Sequence, residues 1–282
     1  MCNRKFRKSD DSIIKFMDIS EINIYPIKSL GGISLDKSAV EERGLAFDRR
    51  WMLVNEQNQF LTQREFPVMS TIKISLVNKS LVADSGSSSV DIPYVPDSLE
   101  TANVKIWSSS VKAKVYKGRT NTWFSEILNA GCRLVLMPDE TKRKVNPFYA
   151  VRKFKDIVSF ADGYPFMLIA RSSLDDLNSR LKSPLPMNRF RPNFVVDESA
   201  AFAEDTWKLV KIGDTVFHVV KPCERCVITT VAQEVGEKAG NEPLKTLATY
   251  RTKNGKVLFG QNLIAEKAGG SIRIGDKVEV LD

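Results

Sequence analysis

Apolar and polar positions alternate with a period near two over residues 19–25 (I-S-E-I-N-I-Y), which predicts a strand that stops at Pro26. A second β-like run over 43–54 carries Arg43, Arg49 and Arg50, and a polar turn at 55–58 leads into a returning strand over 60–64. Further strands are predicted over 69–77, 81–83, 104–107 and 111–116, with a polar loop at 84–89. Residues 120–130 break the pattern: Trp123, Phe124, Ile127 and Leu128 fall on one helical face, Thr120 or Asn121 can cap it, and Gly131 ends it. A buried strand over 133–137 follows. Residues 138–158 are polar and basic with no clear period and read as the junction between two halves, placed to fold over a site as a lid.

The apolar run 166–170 (F-M-L-I-A) predicts a short buried strand, and 174–181 has helical spacing behind Ser172 and Ser173, which can cap it. Strands over 194–196, 207–212 and 215–220 come next, the last two forming a hairpin around Gly213-Asp214. The β-preferring run 227–231 predicts a strand, 242–251 a helix with Pro243 in its first turn, and 257–263 and 277–281 closing strands after the Asn254-Gly255 turn. The phrase Ile212-Gly213-Asp214-Thr215-Val216 returns as Ile274-Gly275-Asp276-Lys277-Val278 and reads as one hairpin type used twice.

At 282 residues the chain is long enough for two cores, and 43% hydrophobic with 27% charged residues is ordinary globular composition. There is no apolar run of about eighteen residues, and the N-terminal stretch lacks the apolar core of a signal peptide. An unstructured leader is expected over 1–17, with Met17 a possible true start. Four cysteines without framework spacing fit a reducing compartment. The net charge of +8 favours anionic partners. The basic residues are spread rather than striped and no nucleic-acid signature accompanies them, so a phosphate-bearing small molecule is the expected partner and nucleic acid is not.

Candidate chemistry centres on Cys223 and Cys226, three positions apart between two β-preferring runs. Structural zinc needs four ligands, and only His218 joins the pair. Pro222-Cys223-Glu224-Arg225-Cys226 matches half of a deaminase zinc signature, but the H-x-E half is missing. A thioredoxin-like dithiol wants a helix after the first cysteine, where this chain is β-preferring. Two small buried residues in a sheet remain possible, and so does one soft thiolate on a cofactor that brings its other ligands. Elsewhere, Lys28 and Ser29 beside Gly31-Gly32 read either as an anion site or as a turn with a solvated lysine. An arginine of the 43–54 run reads as a fork onto phosphate or a pterin-like group, or as a partner of Asp48 or Glu65. The helix start at Ser172 and Ser173 reads as a cap or an anion site.

Taken as an ordered set, Tyr25-Pro26-Ile27-Lys28-Ser29, Asp48-Arg49-Arg50-Trp51, the Leu174 to Arg180 stretch, Phe190-Arg191-Pro192-Asn193, Ala203 to Trp207, Cys223 to Thr230 and Phe259-Gly260-Gln261 resemble the MOSC-domain family, in the two-part type of the amidoxime-reducing components. The resemblance implies a mainly β protein with a few short helices: an N-terminal MOSC β-barrel domain over 18–137 and a MOSC β-barrel domain over 138–282. It implies a molybdenum–molybdopterin cofactor between them, independent of pyridoxal phosphate, with Cys226 as the metal ligand. Lys28, Ser29, Arg49, Ser172, Ser173, Arg191 and Asn193 are then expected to hold the cofactor. The implied activity is reduction of N-hydroxylated substrates to amines. The alternative is a sulfur or cofactor carrier that uses a cysteine persulfide. No cysteine follows Cys226, so a fused ferredoxin domain is not expected and electrons are expected from a separate ferredoxin- or flavoprotein-like donor. No membrane anchor is expected, and the expected location is the cytoplasm.

Overall fold

The computed structural model describes residues 16–281. The expected leader therefore lies outside the described residues except for Phe16 and Met17. The strand Asp18–Ile24 shows why a period near two was an approximation. Ile19 and Ile22 are an odd number apart, so strict alternation would point them to opposite faces. A register shift between Ile19 and Glu21 inserts the extra residue, and Ile19, Ile22 and Ile24 all reach the core.

That strand does not stay with the first half. It pairs antiparallel with Phe194–Asp197 and with Ile33–Leu35. The sheet continues through Phe166–Ala170, Lys256–Ala265, Thr215–Glu224, Leu209–Ile212 and Val278–Val280. A bridge between Asp18 and Lys277 brings its two ends together. Phe166–Ala170 and Phe194–Asp197 run parallel, joined by the helix Arg171–Ser179. All five residues of Phe166–Ala170 are buried, as a continuous apolar run in a covered parallel pair requires. The core of this sheet is an aromatic contact set of Phe166, Phe194 and Phe217 among aliphatic residues of both halves.

In the first half, Lys37–Glu41 pairs with Gly44–Leu45 and with Ser271–Arg273. The remaining strands form a four-stranded sheet of Trp51–Val54, Arg133–Leu136, Ser109–Val115 and Thr101–Ile106 and a three-stranded one of Lys73–Val77, Ser80–Asp84 and Ser89–Pro93. The protein is mostly β-sheet, as expected. The helix Arg119–Leu128 starts after Gly118 without a side-chain cap. Asn121 instead ties it to the neighbouring strand, donating to the Tyr116 carbonyl and accepting the Leu134 N–H. No helix among the described residues is long and apolar enough to cross a membrane.

The strand expected over 60–64 is only a bridge at Phe60 that runs into a turn, and three further expectations fail locally. Residues 227–230 are not a strand but a 3-10 turn, Val227–Thr230. The hydroxyls of Thr229 and Thr230 donate back to the carbonyls of Cys226 and Val227, which outweighs their β preference. The second Ile-Gly-Asp phrase is not a hairpin, because the strands on either side of it join different sheets. Its backbone clasps the first strand instead, through Gly275 N–H to Ile19 O and Ile19 N–H to Asp276 O. Finally, 138–158 is no lid, since none of its residues lines the cleft between the two halves. Arg143 from this segment donates to the carbonyls of Ser159, Ala161 and Asp162, so it braces that loop.

Candidate functional site

The two halves meet at a cleft of about 840 Å³, measured out to its open mouth. It lies where Phe166–Ala170 and Phe194–Asp197 begin and Thr215–Glu224 ends. The first half supplies Lys28, Ser29, Arg49 and Arg64, and the second half Asp162, Arg189, Arg191, Cys223 and Cys226 among others.

Cys226 stands at the junction between the strand Thr215–Glu224 and the 3-10 turn, with extended backbone (φ −129°, ψ 179°). Its carbonyl accepts from the N–H and hydroxyl of Thr229, which sets the sulfur's origin by local bonds alone. Arg64 reaches the Sγ of Cys226 at 3.5 Å and lays its guanidinium over the Trp107 ring at 4.7 Å. Cys223 also lines the cleft, and burial pushes its thiol up. Cys132, Cys223 and Cys226 are free thiols.

Lys28 is buried, not solvated. Its ammonium donates to the Phe160 carbonyl at 2.9 Å and to Asp162 at 2.5 Å. Burial lowers its pKa, and Asp162 offsets part of that effect. Enclosure opposes ionisation of Asp162, but Lys28, Arg64 and the Trp107 indole N–H outweigh it and hold the carboxyl well below the usual range. The cleft surrounds Asp162 with protein while leaving its side chain open to solvent at the mouth. Gly31 and Gly32 do not clear room for a ligand. A Cβ on Gly31 would meet the Ile72 carbonyl at 2.7 Å, and one on Gly32 would meet the Tyr25 ring at 2.6 Å.

Arg49 and Arg191 share the Tyr25 ring, at 4.3 and 4.1 Å from its centroid. Arg49 is also paired with the buried Asp48 at 2.7 Å and donates to the Arg191 carbonyl. Burial works against its charge, but Asp48 and Tyr25 raise its pKa overall. Arg191 donates to the Leu30 carbonyl at 2.8 Å and makes no ion pair among the described residues. Burial, then the charge of Arg49, pulls it down to about 10. Burial likewise raises Tyr25 to about 12. Ser29, Arg49 and Arg191 all have left-handed backbones, with φ of 68°, 48° and 55°. Such backbones cost side-chain-bearing residues about 1–2 kcal/mol each and cluster at functional sites.

Six cations face the cleft (Lys28, Arg49, Arg64, Arg189, Arg191, Arg225) against two acids, Asp162 and Glu224. Arg225 is spent on the carbonyls of Phe259 and Phe190. Arg189 is buried, with its Nε unpartnered. A cleft with this excess suits a polyanion.

The residues expected at the site divide into two groups. Lys28, Ser29, Arg49, Arg191, Asn193 and Cys226 share the cleft. Asn193 lines it with its side chain committed elsewhere: its oxygen accepts the Met167 N–H and its amide donates to the Asn23 carbonyl. Ser172 and Ser173 are not in the cleft. Ser173 is fully buried, donating to the Glu204 carboxylate and accepting the Phe202 N–H, and Ser172 meets Ser199. Neither serine caps the helix Arg171–Ser179. The reading of the residues did not single out Arg64, Asp162 or Arg189. No group of three or more His, Cys, Asp and Glu placed to hold a metal occurs among the described residues, and His218 faces Glu266 at 3.9 Å.

The fold is thus a β protein in two parts that meet at a cleft with an excess of positive charge and a free thiol, Cys226, in its wall. Comparison with known proteins narrows this class. The MOSC N-terminal beta barrel domain matches residues 16–131 and the MOSC domain matches 155–279. The chain is 32% identical to the mouse mitochondrial amidoxime-reducing component 1 over 93% of this chain and 82% of that one. It is 34% identical to the rat mitochondrial amidoxime reducing component 2 over 92% and 82%. It is 31% identical to a rice molybdenum cofactor sulfurase, over 89% of this chain and 33% of that protein. The chain belongs to the MOSC-domain family.

Proposed function

We propose that this protein is a molybdenum–molybdopterin-dependent reductase of N-hydroxylated compounds. One observation carries the reading: Cys226 from one half and Lys28, Ser29 and Arg49 from the other line a single cleft with Arg191. The donor set fits the group. A dithiolene brings its own two sulfurs, so one protein thiolate suffices, and thiolate suits a soft site. Arg191, without an ion pair among the described residues, and the free Nε of Arg189 are buried positive groups that an anionic pterin and its phosphate would satisfy. When bound, the group supplies two-electron chemistry that turns N–OH and two protons into N–H and water.

The chain's own residues bind, orient and insulate. Cys226 offers the ligand, and Arg64 donates to its sulfur while the Thr229 hydroxyl holds its carbonyl. Lys28 and Arg191 offer N–H donors, with Asp162 limiting the charge at the mouth. The relatives named as amidoxime-reducing components support this substrate class. Electrons are assigned to a separate carrier protein. The cytoplasm is proposed as the setting because free thiols need a reducing compartment.

The test is molybdenum quantification on wild type, Cys226→Ala and Cys223→Ala, with benzamidoxime reduction driven by reduced methyl viologen. The reading expects metal and turnover in wild type and Cys223→Ala and neither in Cys226→Ala. Wild type replete with pterin but inactive on every N–OH substrate would end it. A second reading, sulfur or cofactor transfer, draws on the two thiols in one cleft and on the relative named as a cofactor sulfurase. A persulfide found by mass spectrometry on Cys223 or Cys226, without turnover, would favour it.

A further inference from the structure

The stretch from Thr141 to Lys155 holds six cationic residues and no acidic one. Two of the six are used internally: Arg143 on backbone carbonyls and Arg152 on the buried Asp156. The other four, Lys142, Lys144, Lys153 and Lys155, are exposed and make no ion pair among the described residues. Between them stand Phe148, 93% exposed, Phe154, 62% exposed, and Tyr149. Phe148 and Phe154 expose most of their rings to water among these lysines, and an exposed apolar cluster rimmed by charge marks an interaction surface.

The stretch is not loose. Val145 is buried with Val158, Ala161 and Ile264, and the Lys144–Ile157 bridge ties its ends. It is also one piece with the cleft wall. Arg143 holds the carbonyls of Ser159, Ala161 and Asp162. Tyr149 packs edge-on against Tyr164, a cleft residue, at 6.2 Å, and Lys221 caps the Tyr149 ring at 5.0 Å.

We infer that this surface docks a small acidic one-electron carrier protein and brings it against the cleft wall. The inference rests on the reductase reading, because that chemistry needs electrons from outside the chain. Redox encounters use small interfaces, steered by charge and sealed by a few apolar contacts. Four lysines without ion pairs among the described residues, around exposed aromatic rings joined to the cleft residue Tyr164 through Tyr149, match that description, and an acidic partner supplies the complementary charge.

The experiment uses cofactor-loaded protein and a plant-type [2Fe–2S] ferredoxin as the probe. Binding is followed by calorimetry at low and high salt, and turnover is driven in parallel by reduced ferredoxin or by reduced methyl viologen. Reversing all four lysines (Lys142→Glu, Lys144→Glu, Lys153→Glu, Lys155→Glu) should weaken ferredoxin binding about tenfold or more and remove its salt dependence. Ferredoxin-driven turnover should fall with it, while methyl viologen turnover holds. Lys182→Glu, an exposed lysine beyond the helix Arg171–Ser179, should change nothing, and Phe148→Ser should weaken binding without altering its salt dependence. Equal ferredoxin binding by wild type and the fourfold variant would overturn the inference. So would a single-stranded oligonucleotide binding through these lysines where ferredoxin does not. Ferredoxin binding that depends on the lysines in a protein that reduces no N–OH compound would sink the reductase reading and leave the docking surface standing.

Discussion

Arg64 and Cys226 lie 162 positions apart in the chain, and the guanidinium of one donates to the sulfur of the other at 3.5 Å. Trp107 fixes the plane of that guanidinium at 4.7 Å, and Asp162 accepts the indole N–H at 3.1 Å. The sulfur is therefore steadied by a short chain of side chains from both halves. Arg64→Gln keeps a donor and removes the charge and the stack. If Cys226 is the metal ligand proposed above, molybdenum retained after desalting should fall about 10- to 100-fold, the usual cost of losing a partner of such a ligand. Arg64 is only half-buried, so the thermal transition should shift little. Full metal content in Arg64→Gln would show that the contact is incidental.

Tyr25 is the shared platform of Arg49 and Arg191. Tyr25→Phe loses only the hydroxyl bond to the Pro192 carbonyl and should cost about 1 kcal/mol. Tyr25→Leu also removes the ring beneath two guanidiniums and should cost about 2–4 kcal/mol. Urea unfolding of the two variants separates these costs. Equal losses would mean that the ring does no more than the hydroxyl.

Asn193 bridges the strand Asp18–Ile24 to the start of Phe166–Ala170 through the Asn23 carbonyl and the Met167 N–H. Asn193→Ala strands the buried Met167 N–H and the partly buried Asn23 carbonyl and should cost about 2–4 kcal/mol. The loss belongs to the fold, so it should appear in metal-free protein as fully as in loaded protein. A variant that melts normally without cofactor would return Asn193 to a direct role in holding it.

Glu204 is fully buried, and burial raises its carboxyl above the ordinary value near 4.5, with the Ser173 hydroxyl and the Ala170 N–H offsetting only part. The folded state thus binds this proton more tightly than the unfolded chain does. Its contribution to stability is fully present below about pH 4.5 and is lost as pH rises through the raised folded value. Glu204→Gln should flatten the dependence of melting temperature on pH across that window. Parallel curves for wild type and variant would refute the assignment.

What could be read from the chain alone followed from physics that is local in sequence. The run Phe166–Ala170 announced itself because every residue of a covered parallel strand is apolar. Lys28, Arg49 and Arg191 were placed through the ordered resemblance, since no period or spacing links them. Arg64, between Gln63 and Glu65, looks like any solvated polar turn, and only the closing of the two halves gives it a sulfur to touch. Asp162 beside Gly163 carries a turn signal and nothing more. Ser173 misled because a serine at a helix start resembles a cap or an anion site, while the group that claims it, Glu204, lies 31 positions away. Thr229 and Thr230 misled for the opposite reason: their hydroxyls found nearer carbonyls than any neighbouring strand could offer.

The strand Asp18–Ile24 is laced to Phe194–Asp197 along one side and meets Lys277 on the other. A strand from near the start of the described residues thus serves as the closing stave of a structure made by the last. A gene fragment starting at residue 138 would encode a sheet with a raw margin at Phe194–Asp197, a template for sticking to its own copies. The MOSC half of this chain is therefore no portable module. Any hybrid that transplants it without residues 18–24 should come out as aggregate, and supplying that ribbon as a separate peptide is the direct way to ask whether the seam can be resealed.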